Sequence, residues 1–315
     1  MNDYLDRNIL VVGTVRNCAH AIEKEYRQIA GALHRYKNVR YLIIESDSTD
    51  KTIAKLEQLK GMNPHFDYIS LGELRTQIPK RTERIAFCRN RYLEEIENNK
   101  LYQDIQYVIV TDLDGTNTLL QEAHIESCWK RDDWDVCAAN QKGPYYDIWA
   151  FRHPVHSPDD CLQYYQRLLT TEKKSPLEAR RLAIFSRMIT IPQSDTWLEV
   201  DSAFGGMAIY KKESLVKARY LGIDEKGNEV CEHVALHKQI KDMGGKIYIN
   251  PNLINCRAPL EHVKLLSFKY FISWCVHQGI QLPQGQLFER IKSFWIRPKY
   301  TVKLNSVPVK RYDKQ

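Results

Sequence analysis

The chain has 315 residues, 43% hydrophobic and 27% charged, enough for one large α/β domain or two small ones. No stretch approaches the roughly 20 apolar residues of a membrane span, and Met1 to Arg7 lacks the basic start and apolar run of a secretory signal, so a cytoplasmic protein is expected. The net charge of +7 suits an anionic substrate or membrane surface, and eight dispersed cysteines without a Cys-x-x-Cys pair argue against a paired-cysteine zinc site and for free, mostly buried thiols.

Strands and helices alternate through the first half, the signature of a mostly parallel α/β sheet. Ile9 to Val15 reads as an apolar strand ending at Gly13-Thr14-Val15-Arg16-Asn17, and a helix is expected from Ala19 to Leu33. A second strand, Tyr41 to Ile44, leads through the cap-rich run Ser46-Asp47-Ser48-Thr49 into a helix from Asp50 to Leu59. Phe66 to Leu71 is a short third strand, Ile85 to Glu97 an amphipathic helix, and Asp104 to Val110 a buried strand. Past residue 120, strands are expected at Trp134 to Ala139, at the aromatic segment Tyr145 to Phe151, and from Ser202 through Tyr210. The polar stretch from His153 to Arg187 is helix-prone but broken by Pro154, Pro158 and Pro176. A helix from Glu232 to Met243 and a strand from Lys246 to Asn250 come before a turn at Asn250-Pro251-Asn252. From Leu265 on, a helix runs into a basic, aromatic tail.

The buried strand ending at Val110 opens into Thr111-Asp112-Leu113-Asp114-Gly115-Thr116. Side chains alternate along an extended chain, so Asp112 and Asp114 share a face at the strand's carboxyl end, where ligands of open α/β sheets bind. Two carboxylates there suit a hard divalent cation and, through it, a phosphate. Glu45-Ser46-Asp47-Ser48-Thr49-Asp50 reads either as a capping loop or as a hydrogen-bonding surface for a sugar hydroxyl. Arg84 and Arg89 lie on the helix of residues 85 to 97 or at its start, and a guanidinium there meets a diphosphate bidentately. The alternative is a solvated helix face anchored by Ile85 and Phe87. The pair Gly205-Gly206 lets backbone approach a ligand closely, or forms a tight turn or bulge. Glu232, His233 and His237 sit near the start of a helix, but Glu232 precedes both histidines, so the metalloprotease pattern is absent and each histidine reads as a satisfied surface or core residue.

Two families share these residues. Asp112 to Thr116 matches the Asp-x-Asp-Gly-Thr string of haloacid dehalogenase-like phosphatases, in which Asp112 would be the nucleophile. That string normally lies near the amino end of its core and needs a Lys and an acidic pair downstream, and neither Asp132-Asp133 nor Asp159-Asp160 follows an apolar strand. The ordered set of Gly13-Thr14-Val15-Arg16-Asn17, Glu45 to Thr52, Arg84 to Arg91 and Asp112-Leu113-Asp114 instead resembles GT-A nucleotide-sugar glycosyltransferases. It is most similar to the family 2 type and more loosely to fungal capsule-associated mannosyltransferases. The likeness runs over roughly residues 8 to 118 and resumes at 201 to 262.

The resemblance implies a GT-A (Rossmann-like) fold: a mixed, mostly parallel sheet flanked by helices, with a helical insertion and a C-terminal helix and tail. Residues 1–265 would form the catalytic domain, with a nucleotide-binding half at 1–118 and an acceptor half at 119–265 carrying a lid or inserted element at 153–187; residues 266–315 would follow as helix and tail. The implied activity is transfer of a hexose from a UDP- or GDP-sugar to a hydroxyl of a glycan or lipid-linked acceptor in polysaccharide biosynthesis, with inversion. Asp112 and Asp114 would hold Mn²⁺ or Mg²⁺, with His262 as a further ligand. Thr14, Arg16, Glu45 and Asp47 would meet the nucleoside, Arg84 or Arg89 the diphosphate, and Gly205 and Gly206 the transferred sugar. Glu232 would be the general base. A domain of the same fold that binds nucleotide without turnover is the further alternative. The tail from Arg290 to Gln315, basic and aromatic, suits a peripheral contact with an anionic membrane surface, and no nucleic-acid partner is expected.

Overall fold

The computed structural model describes residues 3–258. His262, Cys275, the expected C-terminal helix and the basic tail lie outside the described residues.

In chain order the elements are β1 (Asn8–Val15), α1 (Ile22–Ala32), β2 (Asn38–Glu45), α2 (Thr52–Met62), β3 (Phe66–Ser70), α3 (Arg81–Asn98), β4 (Tyr107–Thr111) and α4 (Glu122–Glu126). There follow β5 (Val136–Lys142), α5 (Cys161–Thr170), α6 (Pro176–Ala183), β6 (Leu198–Val200), β7 (Met207–Lys211), α7 (Lys212–Leu215), α8 (Glu232–Asp242) and β8 (Ile247–Arg257). The strands form one eight-stranded sheet in the order β3-β2-β1-β4-β7-β5-β8-β6. Four neighbouring pairs are parallel (β1 with β2 and β4, β2 with β3, β5 with β8), whereas β7 runs against β4 and β5, and β6 against β8. This is the mixed, mostly parallel α/β architecture expected from the sequence.

Ile9, Leu10, Val11 and Val12 of β1 are all fully buried, as a central strand covered on both faces requires. The helical stripe Ile22, Ile29, Leu33 packs with Ile9, Val11, Ile43, Ile109 and Leu113 into one hydrophobic cluster. The carboxyl ends of β1, β2, β4 and β5 therefore open onto one edge of the sheet.

Five local expectations are corrected. Tyr145 to Phe151 is not a strand; its backbone is irregular and tied elsewhere, with the Tyr145 N–H donating to the Ile189 carbonyl and that of Arg152 to Ser202. The strand expected from Ser202 starts only at Met207, because Gly205 and Gly206 adopt φ of +68° and +85°. The strand at residue 246 does not turn at Asn250 but continues to Arg257 as β8. Its pairing with β5 jumps from Ala138 opposite Ile249 to Asn140 opposite Ile254, and Pro251, with no N–H to give a ladder, sits inside that irregularity. Phe87 does not anchor α3: it is 47% exposed, and the buried stripe runs instead through Thr82, Ala86, Arg89, Leu93 and Ile96. Pro176 does not interrupt the segment 153–187 but occupies the first turn of α6, capped by Ser175, whose Oγ accepts from the Glu178 N–H. The short strand β6 has no counterpart in the sequence reading.

Candidate active site

The acidic pair sits where β4 ends. Leu113 between the two aspartates is buried in the core, 4% exposed, while Asp112 and Asp114 are only partly covered. The loop is fixed from behind by Asn117, whose Nδ2 donates to the Asp112 carbonyl at 2.8 Å, to Thr111 Oγ1 at 3.0 Å and to Glu25 Oε2 at 2.6 Å. Glu25 comes from α1 and is almost fully buried; burial pushes its carboxyl above the usual carboxylate range, against the hydrogen bonds from Asn117. Oδ1 of Asp114 is buried and has no hydrogen-bond partner among the described residues.

Arg89 joins this loop to α8. Its Nη2 lies 3.5 Å from Asp112 Oδ1 and its Nε 3.2 Å from Glu232 Oε1. The guanidinium is enclosed by aromatic rings, 5.3 Å from the Phe204 centroid and 5.6 Å from that of Tyr220. Burial works against its charge, but Tyr92, Glu232, Tyr220 and Asp112 outweigh burial and hold its proton well above the usual range. Three predicted residues, Arg89, Asp112 and Glu232, are thus brought into one chain of contacts.

The loops after β1 and β2 interlock. Asn17 and Asp47 both adopt left-handed backbone, φ 53° and 57°, which Asn and Asp tolerate better than other side chains. Asn17 Oδ1 accepts from the Thr49 N–H at 2.7 Å, and Asp47 Oδ1 accepts from the Leu74 and Arg75 N–H groups at 3.0 and 2.8 Å. Glu45 is buried, taking the Ser48 N–H at 2.9 Å and the Ser70 hydroxyl at 2.5 Å. Arg84 donates to the Ile78 and Pro79 carbonyls and stands 3.7 Å from Asp47 Oδ2. Glu45, Asp47 and Arg84 therefore shape the rim, with their polar atoms mostly satisfied by protein. Thr14 is buried at the end of β1 with no hydrogen-bond partner for its Oγ1 among the described residues, and Arg16, two residues on, is half-buried.

Gly205 and Gly206 stand against the acidic loop, the Gly206 carbonyl accepting the Asp112 N–H at 2.9 Å. A Cβ on Gly205 would come within 2.4 Å of Gln141 Nε2 and 2.8 Å of the Ala139 carbonyl; one on Gly206 would come within 2.9 Å of the Tyr146 hydroxyl. The turn is held by Asn255 Nδ2 and Gln141 Nε2, which donate to the Gly205 carbonyl at 2.8 and 3.1 Å. On its other side Tyr145 accepts the Phe204 N–H and Asp147 Oδ2 accepts the Gly205 N–H, both at 3.0 Å. Phe204 stacks on His233 at 3.8 Å, next to Glu232 at the head of α8.

Glu25, Asn117, Gln141, Asp147 and Asn255 belong to this arrangement and were not singled out by sequence. Glu25 carried a signal, since it lies on the same helical stripe as Ile22 and Ile29, where a carboxylate needs a buried partner. Of the surface and core placements open to them, His233 and His237 take the core, His237 between Ser202 Oγ and Tyr210 OH at 2.8 Å each. The acids a phosphatase would need are engaged elsewhere: Asp133 with Arg131, Asp159 with Arg187, and Asp160 with Arg152. A cavity of about 360 Å³ is lined by Leu119, Gln141, Lys142, Ile191 and Ile254 among others, and by neither Asp112 nor Asp114.

Among the described residues no group of three or more His, Cys, Asp or Glu gathers as a metal cage. The pair Asp112 and Asp114, with an orphaned buried oxygen on Asp114, nevertheless fits a cation held by one or two carboxylates, with its other positions left to phosphate oxygens and water. Among the described residues no helix is long and apolar enough to cross a membrane, and the seven described cysteines are buried and form no disulfide with one another.

No protein-family model and no curated protein matches the chain. Among solved structures it is similar to the mannosyltransferase PcManGT from Pyrobaculum calidifontis, in complex with GDP-Man and Mn²⁺, at 14% identity and a TM-score of 0.48 over 92% of this chain and 70% of that one. It is also similar to S. aureus TarS 1-349 in complex with UDP-GlcNAc, at 11% identity and a TM-score of 0.46 over 82% of this chain and 61% of that one. A third is glucosyl-3-phosphoglycerate synthase from Mycobacterium tuberculosis in complex with uridine-diphosphate, at 12% identity and a TM-score of 0.36 over 89% and 85% of the two chains. With identities and scores this low, the site is read on its own geometry.

Proposed function

We propose that this protein is a metal-dependent glycosyltransferase that moves a hexose from a nucleoside diphosphate sugar to a hydroxyl of a glycan or lipid-linked acceptor, with inversion. The observation that carries the reading is the Asp112 and Asp114 pair at the end of β4, with Asp114 Oδ1 buried and lacking a hydrogen bond among the described residues. A buried carboxylate oxygen with no partner costs free energy unless a ligand meets it. Asp112 and Asp114 would hold Mn²⁺ or Mg²⁺, and the cation would supply charge that stabilises the departing diphosphate. The donors named with the similar structures, GDP-Man and UDP-GlcNAc, are of the substrate class proposed.

Thr14, Arg16 and the interlocked loops after β1 and β2 would receive the nucleoside. Glu232, held by Arg89 at the head of α8, would take the proton from the acceptor hydroxyl. Arg89 would act through the two carboxylates it holds, because its guanidinium is enclosed. His262 as a further metal ligand and the tail as a membrane contact belong to the same proposal, on the sequence reading alone.

The test is a thermal-shift panel of UDP, GDP, CDP and their sugars, each with Mn²⁺ or with EDTA. A Mn²⁺-dependent rise with one nucleoside diphosphate is expected. No rise with any of them, together with a rise under Mg²⁺ and beryllium fluoride, would transfer Asp112 to the phosphatase reading.

A further inference from the structure

Asp147, like Asp114, is a carboxylate of the site that no ion pair among the described residues engages. Asp112 and Glu232 share Arg89, and Asp47 has Arg84 nearby, but Asp147 pairs with no cation among the described residues. Its Oδ2 accepts the Gly205 N–H at 3.0 Å, and no hydrogen bond among the described residues reaches its Oδ1. The residue is half-buried, so this oxygen needs a hydroxyl or water donor.

Its position is defined through the glycine turn. Gly205 binds Asp147 and Gly206 binds Asp112, so one dipeptide, at most about 7 Å of chain, links Asp147 to the acidic pair. The preceding residue, Tyr146, lies against Gly206, and its phenol is pushed up by burial and then by Cys256, Asp147, Asp112 and Asp114. In a nucleoside diphosphate sugar the hexose is bonded directly to the second phosphate. A diphosphate at Asp112 and Asp114 thus leaves its sugar within reach of the turn that Asp147 holds. Among the described residues Asp147 joins no metal cage, which leaves it as an acceptor of hydroxyl hydrogens.

We propose that Asp147 is a sugar-recognition residue whose free carboxylate oxygen accepts a hydrogen bond from a hydroxyl of the transferred hexose. The Tyr145-Tyr146-Asp147 segment is irregular because it serves this contact: Tyr145 and Asp147 fasten the turn, and the remaining oxygen faces the ligand. The proposal rests on the glycosyltransferase reading and specifies what holds its donor sugar.

The test compares binding of UDP-glucose, UDP-N-acetylglucosamine and GDP-mannose with binding of UDP and GDP, all with Mn²⁺, by calorimetry. In Asp147→Asn the side-chain carbonyl still accepts the Gly205 N–H while the free oxygen becomes an amide. Asp147→Ala removes both. The expected result is a loss of about tenfold or more in affinity for the preferred sugar nucleotide in both variants, with the matching nucleoside diphosphate unchanged. Equal losses for sugar nucleotide and nucleoside diphosphate in Asp147→Asn would make Asp147 a prop for the turn and overturn the proposal, as would unchanged binding of both. Wild-type protein that binds none of these ligands would overturn the glycosyltransferase reading itself, and this proposal with it.

Discussion

Arg89 Nε lies 3.2 Å from Glu232 Oε1, so the side chain beside Asp112 also fixes the carboxylate at the head of α8. Both partners are largely buried. Removing one member of such a pair strands the other's charge, which typically costs about 3–5 kcal/mol. Arg89→Ala is therefore expected to lose stability on that order in urea unfolding. Adding Glu232→Gln to it should restore part of the loss, since the stranded charge goes with it. Additive losses would mean that the two side chains do not share their energy.

Gly205 and Gly115 separate strain from crowding. Both have positive φ, +68° and +109°, but a Cβ at Gly115 meets open space whereas one at Gly205 meets Gln141 Nε2 and the Ala139 carbonyl. Gly115→Ala should cost about 1–3 kcal/mol from backbone strain alone. Gly205→Ala should cost more, because the Ala139 backbone cannot give way. Thermal melts of the two variants check the order, and a Gly115→Ala protein as unstable as Gly205→Ala would contradict it.

The sequence already carried the first half of this fold because β1, β2 and β4 each contain an apolar run and the helices lie between the strands. The acidic pair was equally legible, being an abrupt polar end to such a run. Tyr145 to Phe151 misled because aromatic residues that pack a core and fasten a turn look like those that fill a strand. In sequence Arg89 reads as a diphosphate ligand or as part of a solvated helix face, because spacing shows a helix face but not what covers it. The Phe204 and Tyr220 rings that enclose it come from more than 100 residues away. Asp147 had no local signal at all; its role depends on the Gly205 N–H, which only tertiary contact brings near.

Asn117 supports the acidic loop from the buried side, where it donates to Glu25 and to the Asp112 carbonyl. Asn117→Ala leaves a buried carboxyl oxygen unmet, and a loss of about 1–3 kcal/mol is expected in urea unfolding. Calorimetry should also show weaker Mn²⁺ binding in the presence of the nucleotide, because the loop carrying Asp112 is then tied to α1 only by the 3.4 Å bond from the residue 117 N–H to Glu25. Unchanged metal binding at reduced stability would confine Asn117 to a role in the core.

Asp114 and Glu232 have separable roles in the proposed reaction. Asp114→Ala should abolish the Mn²⁺-dependent part of nucleotide binding, read by calorimetry with and without EDTA. Glu232→Gln should leave that binding in place and lower turnover by about 10²–10⁴-fold, the usual contribution of a general base. Undiminished metal-dependent binding in the first variant removes the metal site, and normal turnover in the second removes the base.

His237 gives the stability of this protein a pH dependence with a defined sign. Fully buried between Ser202 and Tyr210, its imidazole is held down at about 3 by burial. In the unfolded chain a histidine titrates near 6.5, so between about pH 6.5 and 3 the unfolded state binds a proton that the native state refuses. Stability should therefore fall on acidification through that window, by about 1.4 kcal/mol per pH unit from this residue. His237→Gln keeps a donor and an acceptor for its neighbours but cannot titrate. Urea unfolding at pH 7 and pH 5 should show a smaller drop for His237→Gln than for wild type, and equal drops would assign the acid sensitivity to other groups.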